Sequence, residues 1–173
     1  DASSTASNNT AVGLRALSAN STGSDNVAVG KGAALANTTG ANNVAIGSNT
    51  LESSTTGTEL TAIGQGVLNA NTTGNYNTAV GFSAMISNTT GASNIGIGKN
   101  ALYSNTTADS NVVIGQDAMY NNTTGASNTC VGRASGNSLT SGSNNLLLGR
   151  DSGRPGSPGG DLDDESNKIV LGD

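Results

Sequence analysis

Residues 94–110 read Asn94-Ile95-Gly96-Ile97-Gly98-Lys99-Asn100-Ala101-Leu102-Tyr103-Ser104-Asn105-Thr106-Thr107-Ala108-Asp109-Ser110, and this stretch is one copy of a unit that fills the chain. A Val, Ile or Leu followed by Gly stands at Val12-Gly13, Val29-Gly30, Ile46-Gly47, Ile63-Gly64, Val80-Gly81, Ile97-Gly98, Ile114-Gly115, Val131-Gly132 and Leu148-Gly149, each 17 residues after the last. Leu171-Gly172 follows after 23, so the final interval carries six extra residues, expected within Arg154–Gly160. Taking that Gly as position 0, Asn stands at −4 in Asn9, Asn26, Asn43, Asn77, Asn94, Asn111, Asn128 and Asn145, with Leu60 breaking the pattern. Asn-Thr-Thr-Gly recurs at 37–40, 71–74, 88–91 and 122–125, with single departures at Ser21, Ser54 and Ala108. Insertion-free self-similarity over nine units is the signature of a repeat architecture.

The unit is too short for a helix pair, and its Gly, Asn and Thr are poor helix formers. Its apolar run is four residues long, β-branched at the centre and bounded by Asn and Gly, which reads as a short strand. Asn-Thr-Thr-Gly reads as a turn in which Gly supplies a positive φ. Ala-Leu at +3 and +4 reads as a second strand or a tight corner. One unit is then one coil, and the expected fold is all-β: a parallel β-solenoid or β-roll of ten stacked 17-residue coils. Residues 1–8 form an N-terminal flank, 9–153 the array, and 154–173 a Pro/Gly-rich insertion with a final capping coil. Stability should be a sum of neighbour terms, with repeated Asn side chains bonding from coil to coil.

Composition agrees with so thin a body. Leu, Ile, Val and Phe total 31 of 173 residues, and there is one Phe and no Trp. That excludes a conventional core of large side chains, and something else must offset the chain entropy. With 11% charged residues and a net charge of −5, the high-charge mark of disorder is missing too. No apolar stretch is long enough to cross a membrane, so no membrane insertion is expected. Seven basic residues spread thinly argue against nucleic acid as a partner. Asp1 opens the chain without the regions of a secretory leader, as a segment starting inside a longer protein would. Lone Cys130 cannot form an intrachain disulfide, and the absence of His removes the commonest general base and metal ligand. No cofactor, metal or catalytic residue is expected, and the chain reads as non-enzymatic.

Side chains alternate along a strand. The −1 residues (Val12, Val29, Ile46, Ile63, Val80, Ile97, Ile114, Val131, Leu148 and Leu171) are expected to fill the coil core. The −2 residues (Ala11, Ala28, Ala45, Ala62, Ala79, Gly96, Val113, Cys130, Leu147 and Val170) then face outward. A soluble monomer avoids a long apolar stripe of that kind. Copies of the same chain should cover it, with the small residues allowing close approach about a shared axis. The stripe predicts a cyclic homo-oligomer and leaves the number of chains open.

Asn43-Val44-Ala45-Ile46-Gly47 resembles the head repeats of trimeric autotransporter adhesins, whose typical repeat is shorter and lacks the Asn-Thr-Thr-Gly turn. The longer unit is similar to repeats of bacteriophage tail fibres and related surface proteins that end in a self-cleaving chaperone domain. Ser166–Asp173 resembles the strand that often precedes that chaperone. The resemblance covers about residues 9–173. It implies a homotrimeric fibre, an extracellular location on a virion or bacterial surface, and attachment to a host-surface glycan or protein receptor.

Several motifs have blander readings. Gly96-Ile97-Gly98-Lys99-Asn100 lacks the Ser/Thr and the first Gly of a phosphate-binding loop. Asp161, Asp163, Asp164 and Glu165 match no calcium loop and read as a solvated turn, weighed against a weak cation site or a glycosidase pair. Asn-x-Ser/Thr sites at Asn20, Asn37, Asn71, Asn88, Asn105 and Asn122 read as turn chemistry rather than glycan acceptors. The Thr-Thr pairs raise an ice-binding solenoid as a third function class, beside tail fibre and adhesin head. Function should sit where the unit varies, at +1 and +5. There Phe82, Ile86, Tyr103 and Tyr120 are expected to form an aromatic strip that binds sugars or protein.

Overall fold

The computed structural model describes residues 5–157 and 160–172. Ten three-residue strands form one parallel sheet in sequence order. They are β1 (Thr10–Val12), β2 (Val27–Val29), β3 (Val44–Ile46), β4 (Thr61–Ile63), β5 (Thr78–Val80), β6 (Ile95–Ile97), β7 (Val112–Ile114), β8 (Thr129–Val131), β9 (Leu146–Leu148) and β10 (Ile169–Leu171). Like positions pair with like, Ala45 with Ala62 and Ile97 with Ile114. The chain is a β-solenoid whose strands rise by about 4.8 Å per coil. The extra residues before β10 lie between Ser152, still bonded in the regular register by Gly136 N–H, and Asp163, whose carbonyl takes Thr140 N–H. Pro158 and Gly159 of that insertion, residues 1–4 of the flank and Asp173 lie outside the described residues.

Ala-Leu at +3 and +4 is a corner. Non-Gly residues take positive φ at alternate positions around it, as in Asn100 (54°) with Leu102 (53°) and Asp117 (55°) with Met119 (45°). Left-handed backbone at a Leu or Met costs about 1 kcal/mol. The bonds to the next coil offset it, as when Leu102 N–H donates to Ala118 O at 3.0 Å. The Asn-Thr-Thr-Gly glycine does not have the expected positive φ. It is Gly because of close approach: a Cβ at Gly74 would lie 2.5 Å from Gly91 O and 2.6 Å from Asn71 Oδ1. The Gly at position 0 needs both freedoms, Gly81 having φ 126° and a Cβ site 2.6 Å from Gly98 O.

The two strand faces are the reverse of the expectation from residue size. Ala28, Ala45, Ala62, Ala79, Gly96, Val113, Cys130, Leu147 and Val170 point into the coil and are buried within a single chain; Ala11 in β1 is exposed. Val12, Val29, Ile46, Ile63, Val80, Ile97, Ile114, Val131, Leu148 and Leu171 are the outward column, half-buried or exposed. The interior is too narrow for large residues on both sides. The corner residue at +4 (Leu51, Leu68, Met85, Leu102, Met119) fills it, leaving the strand opposite room for Ala. A Cβ at Gly96 would already stand 2.8 Å from Met85 Cγ. In two coils a Gly corner makes room for a larger strand residue: Cys130 and Leu147 face Gly136 and Gly153, whose Cβ sites lie 2.8 Å from the Cys130 sulfur and 2.5 Å from Leu147 Cδ2.

Two buried Asn ladders complete the interior. At −4, Asn94 Nδ2 donates to Asn77 Oδ1 (3.2 Å) and Ala108 O (2.8 Å), while Asn94 Oδ1 accepts from Asn111 N–H (2.9 Å). At +7, Asn105 Nδ2 donates to Asn88 Oδ1 (2.8 Å), and Asn88 Nδ2 to Asn71 Oδ1 (2.9 Å). Ser54 interrupts this second ladder, and Asn37 Oδ1 is left buried with no partner. Where Leu139 ends the same ladder, the Oδ1 of Asn122 takes Gly125 N–H instead. Ser54→Asn should supply the missing donor and stabilise the chain by about 1 kcal/mol. Chemical denaturation of the two proteins measures it, and an unchanged or lowered midpoint would refute the account of Asn37.

Candidate functional site

Three surfaces carry the residue types that do chemistry or recognition. The first is the outer face of the sheet. Positions −3 and −1 make two adjacent columns over all ten strands, Thr, Val, Ile or Leu throughout, with no charged residue. Ile95, Ile97 and Ile114 are 37–39% exposed. This stripe is about 43 Å long at the inter-strand spacing.

The second surface is the edge formed by positions +1, +2 and +5. The side chain at +5 lies over +2 of the preceding coil, as shown by Asn137 Nδ2 donating to Asp117 O at 3.0 Å. Tyr103 and Tyr120, both at +5, stack with centroids 4.7 Å apart and planes 8° from parallel. Each ring therefore covers one face of the other. Ile86 stands one coil earlier in the same column and is half-buried. Phe82 is exposed at +1 and makes no ring contact among the described residues. The structure joins the two tyrosines and leaves Phe82 apart from them.

Sequence reasoning missed the densest charge cluster, which lies on this same edge. Asp151 at +2 receives Arg154 Nη1 at 2.7 Å, Arg150 Nε at 3.3 Å and Arg133 Nη2 at 3.8 Å. The hydrogen bond from Arg154 leads in holding the Asp151 carboxyl below its ordinary range, against a smaller upward push from desolvation. Pro155, Gly156 and Ser157 wall a shallow groove beside Asp151 and Arg154. The signal was present as Arg at +1 in successive coils with Arg at +5, but only the coil geometry brings 133, 150 and 154 together.

The third surface is the acidic segment. Thr140 Oγ1 and Ser141 Oγ donate to Asp164 Oδ1 at 2.6 and 2.8 Å, and these bonds lower its pKa. Repulsion, chiefly from Asp161, raises that of Asp163. Among the described residues no three His, Cys, Asp or Glu side chains gather to hold a metal ion. The threonine pairs divide their work. The first hydroxyl donates to the next coil, Thr89 Oγ1 to Thr106 O at 2.9 Å, and the second threonine of each pair is exposed.

Cys130 points into the coil. Burial pushes its thiol up to about 12, outweighing the Ser135 hydrogen bond. Iodoacetamide at mildly alkaline pH should leave the native thiol untouched and modify it in guanidinium, as mass spectrometry would read. Rapid labelling of native protein would mean that the −2 face is open.

No family model, no curated protein and no solved structure matches this chain.

Proposed function

We propose that the chain is a non-enzymatic segment of a trimeric extracellular attachment fibre, most like a phage tail fibre. One observation carries the reading: an uncharged two-column stripe, wholly Val, Ile or Leu at −1 and broken only by Thr10, Thr61, Thr78 and Thr129 at −3, runs the length of the sheet on its outward face. Soluble single chains rarely leave so long a contiguous apolar surface in water. An in-register parallel sheet is also an ideal surface for repetition, because every coil offers a neighbour the same contact. Cyclic association of identical chains buries it without leaving an open end. Three chains, and a host-surface glycan or protein as receptor, follow from the repeat's resemblance to fibre and adhesin-head units. Function is then rigidity and multivalency: identical edges present weak sites together, and avidity multiplies them.

Sedimentation equilibrium on the purified chain tests this. A mass of three chains is the expected result, and a stable, folded single chain at micromolar concentration overturns it. A bacterial trimeric adhesin head shares the architecture and differs in what the chain is joined to. An ice-binding solenoid is the competing class. The exposed second threonines give it one hydroxyl column, and arrest of ice growth by the purified chain would favour it.

A further inference from the structure

We propose that the arginine edge around Asp151 binds an acidic polysaccharide lying along the solenoid axis. This names the receptor chemistry of the attachment reading and rests on it. One guanidinium satisfies the Asp151 carboxylate at 2.7 Å, yet two more gather on it, against their mutual repulsion. The side chains of Arg133 and Arg150 are 58% exposed, and each guanidinium carries five N–H donors, so most donors face solvent. The fold does not demand arginine there, since position +1 holds Ser48, Gln65, Phe82 and Gln116 in other coils.

Charge is also sorted. In a chain of net charge −5, position +1 of the first nine units carries Lys31, Lys99, Arg133 and Arg150 and no carboxylate, and Asp173 alone puts an acid there in the tenth. The other acids on this edge in the nine regular units are engaged, Asp117 at +2 by the amides of Asn100 and Gln116 at 2.9 Å and Glu52 at +5 by that of Asn69 at 2.8 Å. Guanidiniums on successive coils repeat at about 4.8 Å, which suits a linear polymer whose anionic groups recur along its length. The stacked tyrosines and Asn137 on the same edge supply hydroxyl and amide partners for sugar hydroxyls. The acidic balance of the whole chain opposes a duplex nucleic acid with a charge every ~1.7 Å more than a glycan with about one anionic group per sugar.

Calorimetry on the full chain tests the proposal with four probes: oligogalacturonate, sulfated dextran, neutral dextran and polyphosphate. Oligogalacturonate or sulfated dextran should bind, more weakly as salt rises, and the pair of arms tells carboxylate from sulfate recognition. Neutral dextran should not bind. Arg133→Gln with Arg150→Gln should weaken binding about tenfold or more. The double variant should keep the thermal midpoint, because Gln already occupies +1 in Gln65 and Gln116. Absence of binding by both acidic saccharides, polyphosphate binding as tightly as either, or an unaffected double variant would overturn the proposal. Sedimentation of the same samples separates the two readings. A single chain that binds acidic saccharide defeats the trimer and keeps this site, and a trimer that binds neither defeats this site alone.

Discussion

Ile97→Asp together with Ile114→Asp should convert the proposed trimer into single chains while leaving each coil folded. Both side chains point out of the sheet and are 37% and 39% exposed in the single chain. A carboxylate there reaches water in the monomer, and its cost is the lost β-propensity and partial apolar cover plus repulsion between the two paired positions, about 1–2 kcal/mol per site. Across a closed interface the same carboxylates face one another among Val, Ile, Leu and Thr, with no cation in either column. Burying an unpaired charge costs several kcal/mol per ion, and the substitutions are repeated in every chain. Sedimentation should therefore report the mass of one chain, with an unchanged circular dichroism spectrum. Ala62→Asp is the matching control. It is fully buried inside the coil and should prevent folding at its own level. Persistence of the native mass in the double variant would place the chain contacts elsewhere. Unfolding of the double variant, with Ala62→Asp tolerated, would invert the two faces.

That control is needed because the sequence alone cannot say which strand face is inside. The period, the strand centres and the turns are legible, since Val/Ile-Gly recurs every 17 residues and alternation is a property of any strand. In Ile95-Gly96-Ile97, however, both faces are apolar, and choosing the larger residues for the core points the wrong way. The deciding fact is thickness. The coil is two backbones wide, and Leu102 or Met85, swung inward by a left-handed backbone, fills the gap. Nothing local marks a Leu or Met for that conformation, which L-residues avoid. One clue stands in the sequence: the +4 position turns to Gly136 and Gly153 beside Cys130 and Leu147 at −2, although Val113 keeps Met119. The Arg133–Arg150–Arg154 cluster was hidden for a related reason. Its members touch only because coils stack, and spacings of 17 and 21 residues carry no contact until the pitch is known.

The buried ladder at −4 predicts the largest loss from one polar truncation. Asn94→Ala removes the oxygen that takes the backbone N–H of Asn111 at 2.9 Å and its Nδ2 at 3.2 Å, and the amide that reaches Ala108 O at 2.8 Å. The Asn111 side chain keeps Gly125 O, but its N–H is orphaned in the interior. An unsatisfied buried donor costs about 1–3 kcal/mol, and with the lost bonds and the small void the total should reach about 3–5 kcal/mol. Asn121→Ala is the exposed comparison, losing one amide bond to Asn137 O and about 1 kcal/mol or less. Leu60 shows why the ladder is energetic rather than obligatory: its N–H donates to Asn43 Oδ1 at 3.0 Å, but its side chain offers no oxygen onward to Asn77. Asn94→Asp sharpens the test through pH. The new carboxylate still accepts from Asn111 but faces Ala108 O and Asn77 Oδ1 with no proton to donate. Folding then raises its pKa above the unfolded value, the native state binds the extra proton, and stability is regained as pH falls. Asp151 runs the other way: its lowered pKa makes its contribution present above the unfolded value and lost as pH falls through the folded one. A denaturation series across acidic pH should show Asn94→Asp approaching the wild-type midpoint on acidification. A deficit constant with pH, or a cost for Asn94→Ala no larger than for Asn121→Ala, would mean that the ladder fills space without holding the coils together.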